Sequence, residues 1–309
     1  MFQVTEIQTQ ATQLEQLGSK RKFWFFSEEE QFLFKETQQQ ANEIPTGEDW
    51  AEKIACVLAG RLGIPHVDYE LAIVKNGKEK RGSVCKNFVS RQWSLVHGNE
   101  LLQEWDSRYP KDPERKFKVV EHTIDAVFHV VSNMQLPPEA FRSNLPAGVT
   151  DAVGVFVGYL LLDTWIANQD RHHENWGALR RNGQCLLAPS FDHGASLARN
   201  LTEQERRDRL GTNDERRSIS AFIRKARSAF FSSQVPQKPL PTLQAWKDWS
   251  AKTTVASDAW LERLAGVEDS EVRTVLEQIP DTHMSAVTRE FTLELLANNR
   301  RRILAGDAP

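Results

Sequence analysis

The first ninety residues are dominated by short apolar runs, which is the pattern of β-strands. Aromatic runs at Lys22–Phe26 and Gln31–Glu36 are separated by the polar stretch SEEE, which predicts a hairpin. From Gly47 to Pro65 the apolar residues change to helical spacing, and a Gly-Ile-Pro sequence ends the predicted helix. Two more strands are predicted on either side of Asn76-Gly77, a dipeptide typical of tight hairpin turns.

After Ser90 the pattern becomes helical. The stretches KVVEHTIDAVFHVVSN and VGVFVGYLLLDTWIAN are apolar enough to be buried helices of a larger lobe. A proline-rich connector at Pro236–Thr242 precedes a helical tail. The pattern therefore predicts an α+β fold of two lobes: a small β-rich lobe with one helix over 1–92, and a larger helical lobe over 93–309. We expect the functional site in the cleft between the lobes.

Composition narrows the choice of partners and compartment. The 309 residues have a formal net charge of −3, so we expect no direct nucleic-acid binding and no attraction to anionic membranes. Cys56, Cys85 and Cys185 lie far apart among apolar neighbours, which favours reduced core thiols. The polar N-terminus does not have the pattern of a signal peptide, and no apolar run approaches the ~18 residues of a membrane span. We therefore expect a cytoplasmic protein without membrane insertion.

Candidate chemistry is concentrated in the stretch NQDRHHENWG, which follows the second apolar helix. Asp170 and Asn175 are five residues apart there, and the Asn182-Gly183 turn that follows predicts a hairpin. The hairpin would return Asp192 to the neighbourhood of Asn175, and oxygen ligands of this kind suit Mg²⁺. An Asp, an Asn five residues later, a hairpin and a second Asp form a layout typical of the phosphoryl-transfer loops of kinases.

Two other interpretations of this stretch stay open. A single Asp and Asn at this spacing is common in ordinary turns. His172, His173 and His193 could together form a transition-metal site, although no HExxH or comparable ligand pattern is present. For His172 we favour a bracing role, in which its hydrogen bonds hold the loop.

A kinase also needs a lysine in the small lobe and an acid that pairs with it. Lys35 lies at the end of an apolar strand, where a charge is otherwise unwelcome. The next helix offers Glu52, with Glu48 one turn earlier as the competitor. The loop that leads into the first aromatic strand, from Gly18 to Lys22, stands where a phosphate-covering loop should stand, although a full GxGxxG motif is absent.

Together, GSKRKFWF, Lys35, EKIACVLAGRLGIP, NQDRHHENWG and LAPSFDHG resemble the HipA-like kinases, a branch of the protein-kinase-like fold. The resemblance implies an ATP- and Mg²⁺-dependent serine/threonine protein kinase, and in some members a toxin silenced by an antitoxin partner. It implies that Asp170 is the catalytic base and that Asn175 and Asp192 are metal ligands. The implied catalytic set also contains His172, Lys35 and Glu52; the implied nucleotide-binding set is Gly18, Ser19, Lys20, Lys22 and Lys35. Ser19 becomes a candidate autophosphorylation site, where added negative charge would repel the phosphates of ATP.

The sequence departs from the family in two ways. HipA itself has an additional N-terminal subdomain for which this chain has no room, so we expect a stand-alone kinase core and leave antitoxin binding open. His172 stands two residues after Asp170, where ordinary protein kinases have a lysine. Asp-Arg-His-x-x-Asn is also similar to the phosphoinositide kinases. A lipid or small-molecule acceptor is thus one alternative, and a non-catalytic nucleotide-binding regulator is a second.

The stretch RLGTNDERRSISAFIRKARSAFF follows the Asp192 segment and is basic. It could contact a substrate. A solvated amphipathic helix that buries Ile219, Phe222, Ile223 and Ala226 is the favoured interpretation.

Overall fold

The computed structural model describes residues 1–8, 13–15, 21–39, 45–75, 79–111, 119–232 and 238–306. The strands are β1 (Val4–Ile7), β2 (Gln13–Glu15), β3 (Lys22–Ser27), β4 (Glu30–Glu36), β5 (Glu70–Val74), β6 (Lys80–Lys86), β7 (Ser94–His97), β8 (Gly177–Arg181), β9 (Gln184–Leu187), β10 (Arg227–Phe231) and β11 (Pro239–Pro241). The α-helices are α1 (Glu48–Leu62), α2 (Gly98–Trp105), α3 (Ile124–Val131), α4 (Ala152–Trp165), α5 (Glu203–Gly211), α6 (Ile219–Ile223), α7 (Thr242–Ser250), α8 (Thr254–Ala265), α9 (Asp269–Glu277) and α10 (Ala286–Leu304).

The N-terminal region contains a six-stranded sheet in the order β1-β5-β6-β4-β3-β2. The predicted hairpin is confirmed, because β3 and β4 pair antiparallel from Lys22↔Lys35 to Ser27↔Glu30. Its two-residue turn has Glu28 and Glu29 at φ of 50° and 69°, the left-handed conformation that such hairpin turns require. At the other edge, β1 pairs parallel with β5, a pairing that the polar N-terminal sequence did not predict.

Helix α1 packs against this sheet and fits the predicted helix. It is followed by Gly63 at φ 81°, the left-handed conformation in which a helix C-terminus commonly ends. Strands β5 and β6 also pair antiparallel, as predicted, while the Asn76-Gly77 turn between them lies outside the described residues.

The C-terminal region is mainly helical, and α4 is its central element. All fourteen residues of α4 are buried. Helices α7, α8 and α10 pack around it, and Trp249 and Trp260 donate their indole N–H groups to backbone oxygens at its start. The two predicted buried helices are confirmed as α3 and α4. The result is a mixed α+β fold with a β-sheet N-terminal region and a helical C-terminal region, as predicted; the boundary between residues 92 and 93 stays a prediction.

Three predictions for the region after Ser90 were wrong in detail. Strand β7 lies within the stretch that was expected to be helical, because it pairs with β8 in a three-stranded sheet β7-β8-β9. The described part of the proline-rich connector contains β11, which pairs with β10. The basic stretch is not one helix: it divides among α5, α6 and β10. Burial within it is as expected for Ile219, Ile223 and Ala226, whereas Phe222 is only partly buried.

Cys56, Cys85 and Cys185 are free thiols, as expected, with the first two buried and the third half-buried. Burial raises the pKa of Cys85 to about 11, so this thiol is neutral and behaves as an apolar core residue. Over the described ranges, no helix combines the length and the apolar character that crossing a membrane requires.

Candidate active site

The ammonium group of Lys35, near the end of β4, is buried between a residue of α1 and residues of two loop segments. Its Nζ lies 3.3 Å from Oε1 of Glu52, 3.2 Å from Oδ1 of Asp192 and 3.1 Å from the hydroxyl of Tyr69. Burial opposes the charge of the lysine, but Asp192, Tyr69 and Glu52 outweigh it and raise the pKa of Lys35 well above its usual value. Lys35 is therefore a permanently charged group held by opposite charges.

The structure distinguishes the two candidate acids on α1. Glu52 contacts Lys35 and also accepts a hydrogen bond from the backbone N–H of His193 at 2.8 Å. Glu48 lies one turn earlier, where its carboxylate is 2.9 Å from Nη2 of Arg199. One helical turn displaces a side chain by about 5 Å along the axis, which separates the two positions. Glu52 is thus the acid beside Lys35.

Asp192 has a backbone conformation that non-glycine residues rarely adopt. Its φ is 59°, which costs about 1 kcal/mol for an L-residue. The strain is balanced by specific contacts: the backbone N–H of Asp192 donates to the Tyr69 hydroxyl at 3.3 Å, and the next N–H donates to Glu52. Its carboxylate also lies 3.5 Å from Nζ of Lys22. This conformation directs the carboxylate towards the two lysines.

The loop that carries Asp170 is anchored to the end of α4 by a buried ion pair. Arg171 donates to both oxygens of Asp163, through Nε at 2.7 Å and Nη2 at 2.8 Å, and its Nη1 donates to the backbone oxygen of Asn175 at 3.2 Å. Asn168 accepts from the backbone N–H of Asp170 at 3.1 Å. These bonds hold the loop from both ends, so the side chains of Asp170 and Asn175 have a fixed support.

Asn175 and His172 both contact Asp170. The amide Nδ2 of Asn175 donates to the backbone oxygen of Asp170 at 2.7 Å. Nδ1 of His172 accepts from the backbone N–H of Glu174, so the proton of a neutral ring lies on Nε2, which is 3.6 Å from Oδ1 of Asp170. His172 thus braces the loop through Glu174 and faces the Asp170 carboxylate with its N–H.

The three histidines have different partners. His173 is 2.8 Å from the Tyr109 hydroxyl, and His193 is 2.7 Å from the Ser190 hydroxyl. Burial, with Arg171 and His66 nearby, lowers the pKa of His193 well below its usual value. In the ranges that the structure describes, no group of three or more His, Cys, Asp or Glu side chains is arranged to hold a metal ion.

The Asp170 loop and the Asp192 segment are connected by the predicted hairpin. Strands β8 and β9 pair around Asn182 and Gly183, whose φ values of 47° and 80° are those of a tight turn, and this prediction is confirmed. The backbone N–H of Ala188 donates to Gly177 at 3.0 Å across the base of the hairpin. The two loops therefore begin and end beside each other.

The donor set fits a magnesium ion. Because Nδ2 of Asn175 is bound to the backbone, the carbonyl oxygen of its amide is oriented away from that bond. The carboxylate of Asp192 has capacity beyond its contacts with Lys35 and Lys22, since a carboxylate can accept at about four positions. One carboxylate and one amide oxygen match the small number of protein ligands that Mg²⁺ takes beside phosphate oxygens.

Gly18, Ser19 and Lys20 lie outside the described residues, so only the end of the predicted phosphate loop can be located. Lys22 begins β3 and contacts Asp192.

Sequence reasoning missed Tyr69, Asp163 and Arg171. Asp163 carried a usable signal, because a lone carboxylate within the apolar run YLLLDTW requires a buried cation. Tyr69 carried none, since its contact with Lys35 depends on tertiary packing alone.

The chain thus has the architecture of a kinase: a β-sheet region that supplies a lysine and its acid, and a helical region that supplies the Asp170 loop and the Asp192 segment. Comparison with known proteins leads to a narrower class. A serine/threonine-protein kinase, CtkA, of Helicobacter pylori strain J99 is 22% identical over 260 residues, which cover 82% of this chain and 70% of the relative. No protein-family model matches the chain.

Two solved structures share the fold. The crystal structure of the H. pylori proinflammatory kinase CtkA matches with a TM-score of 0.71 and 19% identity, covering 98% of this chain and 96% of the other. HipA in the Shewanella oneidensis MR-1 toxin–antitoxin complex with HipB and operator DNA matches with a TM-score of 0.55 and 12% identity, covering 97% and 69%. The fold is kinase-like, and the comparisons support the HipA-like kinase family that the sequence resemblance predicted.

Proposed function

We propose that this protein is an ATP- and Mg²⁺-dependent kinase that transfers the γ-phosphate to a serine or threonine hydroxyl of a protein. The observation that carries the proposal is the position of Lys35 between Glu52 and Asp192, at 3.3 Å and 3.2 Å. In protein kinases a lysine paired with an acid on a helix binds the nucleotide phosphates and a nearby aspartate holds Mg²⁺, and the Lys35–Glu52 pair beside Asp192 supports the same roles here. The kinase-like fold and the CtkA relative support the same conclusion.

In the proposed mechanism, Lys35 binds the α- and β-phosphates and Glu52 orients it. Asp192 and Asn175 would hold Mg²⁺, which would supply positive charge to neutralise the phosphate oxygens. By the resemblance to HipA-like kinases, Gly18, Ser19, Lys20 and Lys22 would belong to the loop that covers the phosphates.

Asp170 is the proposed base. The acceptor hydroxyl oxygen bonds to the γ-phosphorus, the bond between this phosphorus and the β–γ bridging oxygen breaks, and ADP leaves. The hydroxyl proton passes to the carboxylate of Asp170. The N–H of His172 faces this carboxylate at 3.6 Å, and in our proposal it stabilises the charged form and the orientation of the base.

The finer assignments are also proposals. HipA was solved with HipB in a toxin–antitoxin complex, and we propose by analogy that an antitoxin-like protein could silence this chain. Autophosphorylation of Ser19 would inhibit by charge repulsion with the ATP phosphates. A cytoplasmic location stays a prediction. Phosphoinositide or small-molecule acceptors and a non-catalytic regulator remain the alternative outcomes of the test below.

The test is incubation of the purified chain with γ-labelled ATP and Mg²⁺, followed by mapping of any phosphate by mass spectrometry. The Asp192→Asn variant serves as the inactive comparison, because asparagine tolerates the positive φ at this position better than alanine does. Asp258→Asn, at an exposed position of α8, is the matched control.

We expect label on a serine or threonine in the wild type and the control, and none in Asp192→Asn. ATP binding without any protein label, but with label on lipid vesicles, would assign the chain to the phosphoinositide kinases instead. A chain that neither binds nor transfers phosphate would contradict the proposal.

A further inference from the structure

His193, directly after Asp192, is a fully buried histidine whose ring contacts a serine through one nitrogen and faces a carboxylate with the other. Its Nε2 is 2.7 Å from the Ser190 hydroxyl, and its Nδ1 is 3.8 Å from Oε2 of Glu52. Among the described residues, Nδ1 has no hydrogen-bond partner of ordinary length. A buried ring nitrogen without such a partner costs free energy, and its position beside Glu52 suggests what offsets the cost.

The two partners of the ring indicate which nitrogen carries the proton. A serine hydroxyl can donate or accept, whereas a carboxylate can only accept. With the proton on Nδ1, the ring directs an N–H at Glu52, and Nε2 accepts from the Ser190 hydroxyl. With the proton on Nε2 alone, a lone pair of Nδ1 would face the carboxylate oxygen, which is repulsive. The favoured tautomer therefore has its N–H on the side of Glu52.

Main-chain hydrogen bonds hold this segment against α1 and the loop that follows α1. The backbone N–H of Ser190 donates to the oxygen of Pro65 at 2.9 Å, and the N–H of Val67 donates to the oxygen of Ser190 at 2.9 Å. Three residues further on, the backbone N–H of His193 donates to Oε2 of Glu52 at 2.8 Å. Because the segment is fixed at both points, the ring of His193 has little freedom to move away from Glu52.

Gly194 allows the segment to approach Glu52 closely. A Cβ atom at this position would lie 3.2 Å from Cγ and 3.4 Å from Oε1 of Glu52, so a larger residue would press on the carboxylate. The two oxygens of Glu52 have different partners: Oε1 faces Lys35 at 3.3 Å, and Oε2 faces the backbone and ring of His193. The orientation of the carboxylate towards Lys35 therefore depends on what its other oxygen contacts.

We propose that His193 is a positioning residue for the Lys35–Glu52 pair: its N–H at Nδ1 orients the Glu52 carboxylate, and the Ser190 hydroxyl fixes the tautomer. His193 needs no contact with the nucleotide, because it acts through Glu52 and Lys35. Without the ring, Oε2 would keep the backbone donor alone, and the carboxylate could turn away from Lys35. The role rests on the proposed kinase function, in which Lys35 binds the phosphates, whereas the contact between His193 and Glu52 does not.

Two substitutions separate positioning from packing. His193→Leu keeps about the volume of the ring but removes both nitrogens. His193→Asn is smaller, but its amide nitrogen is attached to Cγ, as Nδ1 is, and can face Glu52. We expect kcat/KM for ATP to fall by about tenfold in His193→Leu and by about threefold or less in His193→Asn, because only the latter keeps a donor to the charged group.

A residue that only filled space would give the reverse order, because His193→Asn leaves the larger cavity. Equal or greater loss of kcat/KM in His193→Asn would therefore overturn the proposal. Circular dichroism and urea denaturation show that each variant is folded and measure its stability, which we expect to be lower in His193→Asn than its activity would suggest.

A double-mutant cycle with Glu52→Gln tests whether His193 acts through Glu52. In the Glu52→Gln background the effect of His193→Leu should decrease from about tenfold to about twofold, because the carboxylate that the ring orients is gone. His122→Leu is the matched control, since His122 is also buried but contacts Trp176 and the backbone of Ala229. Its effect should be the same in both backgrounds.

The cycle is measured as kcat/KM for ATP, and as ATP affinity by calorimetry where a variant is too slow for kinetics. Equal effects of His193→Leu in the two backgrounds would show that His193 acts independently of Glu52, which would overturn the proposal in an active kinase.

The tautomer is measured without nucleotide or metal, by ¹⁵N NMR of the full chain labelled at histidine, with His193→Asn identifying the signal. We expect the proton on Nδ1. A proton on Nε2 alone would overturn the proposal whether or not the chain is a kinase. If the proton is on Nδ1 but the wild type neither binds ATP nor transfers phosphate, the proposed kinase function fails and the positioning role with it, while the contact between His193 and Glu52 stands.

Discussion

The carboxylate of Asp49 on α1 lies 2.7 Å from Nδ1 of His283, a residue 234 positions later in the chain. Arg81 on β6 donates to the same carboxylate oxygen at 2.7 Å and to the backbone oxygen of Thr282 at 2.7 Å. Asp49 is fully buried, so this cluster joins the sheet region to the segment before α10 away from the solvent. Because Glu52 lies on the same helix as Asp49, the cluster also positions the helix that holds Lys35.

Asp49→Ala should lower the free energy of unfolding by about 3 kcal/mol or more, because it leaves Arg81 and His283 without their shared acceptor. Chemical denaturation monitored by circular dichroism measures the change. Asp106→Ala is the matched control: Asp106 pairs with Arg108 at the surface, where solvent screens the charges, so the change should be much smaller. Equal losses in both variants would show that the cluster adds no specific stability.

Asp170→Asn should abolish phosphate transfer while ATP binding is retained, because the amide keeps the size of the carboxylate but cannot accept the hydroxyl proton. Transfer is measured with labelled ATP, and binding by calorimetry. Asp208→Asn, at an exposed position of α5, should behave as the wild type. A normal transfer rate in Asp170→Asn would remove Asp170 from the role of base.

Tyr69→Phe should weaken the positioning of Lys35, the proposed nucleotide-binding lysine, while it keeps the aromatic ring. The substitution removes the hydroxyl that contacts Lys35 at 3.1 Å and the backbone N–H of Asp192 at 3.3 Å, which leaves two buried donors short of an acceptor. We expect kcat/KM for ATP to fall by about tenfold, which corresponds to about 1.4 kcal/mol.

Tyr159→Phe is the control for this measurement. It removes a buried hydroxyl that donates to the backbone oxygen of Ala188 at 2.9 Å. It should lower the thermal stability without changing KM for ATP. If the two variants had the same effect on KM, Tyr69 would have a structural role only and no role in positioning Lys35.

His122 should make the protein sensitive to acid. Its Nε2 accepts from the indole N–H of Trp176 at 3.1 Å, so its proton lies on Nδ1 and donates to Ala229 at 2.9 Å. Burial lowers the pKa of His122 to about 3 from its usual 6.5. Below pH 6.5 the unfolded chain binds a proton that the folded protein cannot bind, so the stability is complete above pH 6.5 and is lost as the pH falls towards 3.

The expected slope is about 1.4 kcal/mol per pH unit for such a histidine, and His193, whose pKa is also lowered, acts in the same direction. Urea denaturation at several pH values between 4.5 and 7.5 measures the slope. In the His122→Gln variant the slope should be smaller by about 1.4 kcal/mol per pH unit, because one group fewer takes up a proton on unfolding. An unchanged slope in this variant would mean that His122 can be protonated in the folded protein.

Local elements were predictable because their determinants are near neighbours in the chain. The β3–β4 and β8–β9 hairpins, α1, and α3 and α4 follow from apolar spacing, turn residues and helix-ending glycine. Strand β7 was missed because four residues carry too little pattern, and only its pairing with β8 makes it a strand. Strand β1 was missed for the same reason, since its partner β5 lies more than sixty residues away.

Candidate residues of the site could be named from the sequence: Asp170, Asn175 and Asp192 from their spacing around a predicted hairpin, and Lys35 from its charge at the end of an apolar strand. Which of Glu48 and Glu52 faces Lys35 was decided by the packing of α1 against the sheet. Tyr69 and the Asp163–Arg171 pair entered the site only through tertiary contacts. The sequence by itself thus determined the local helices and hairpins and the kinds of side chain available to the site. The tertiary structure decided which of the charged side chains contact one another, because those contacts join segments that are distant in the chain.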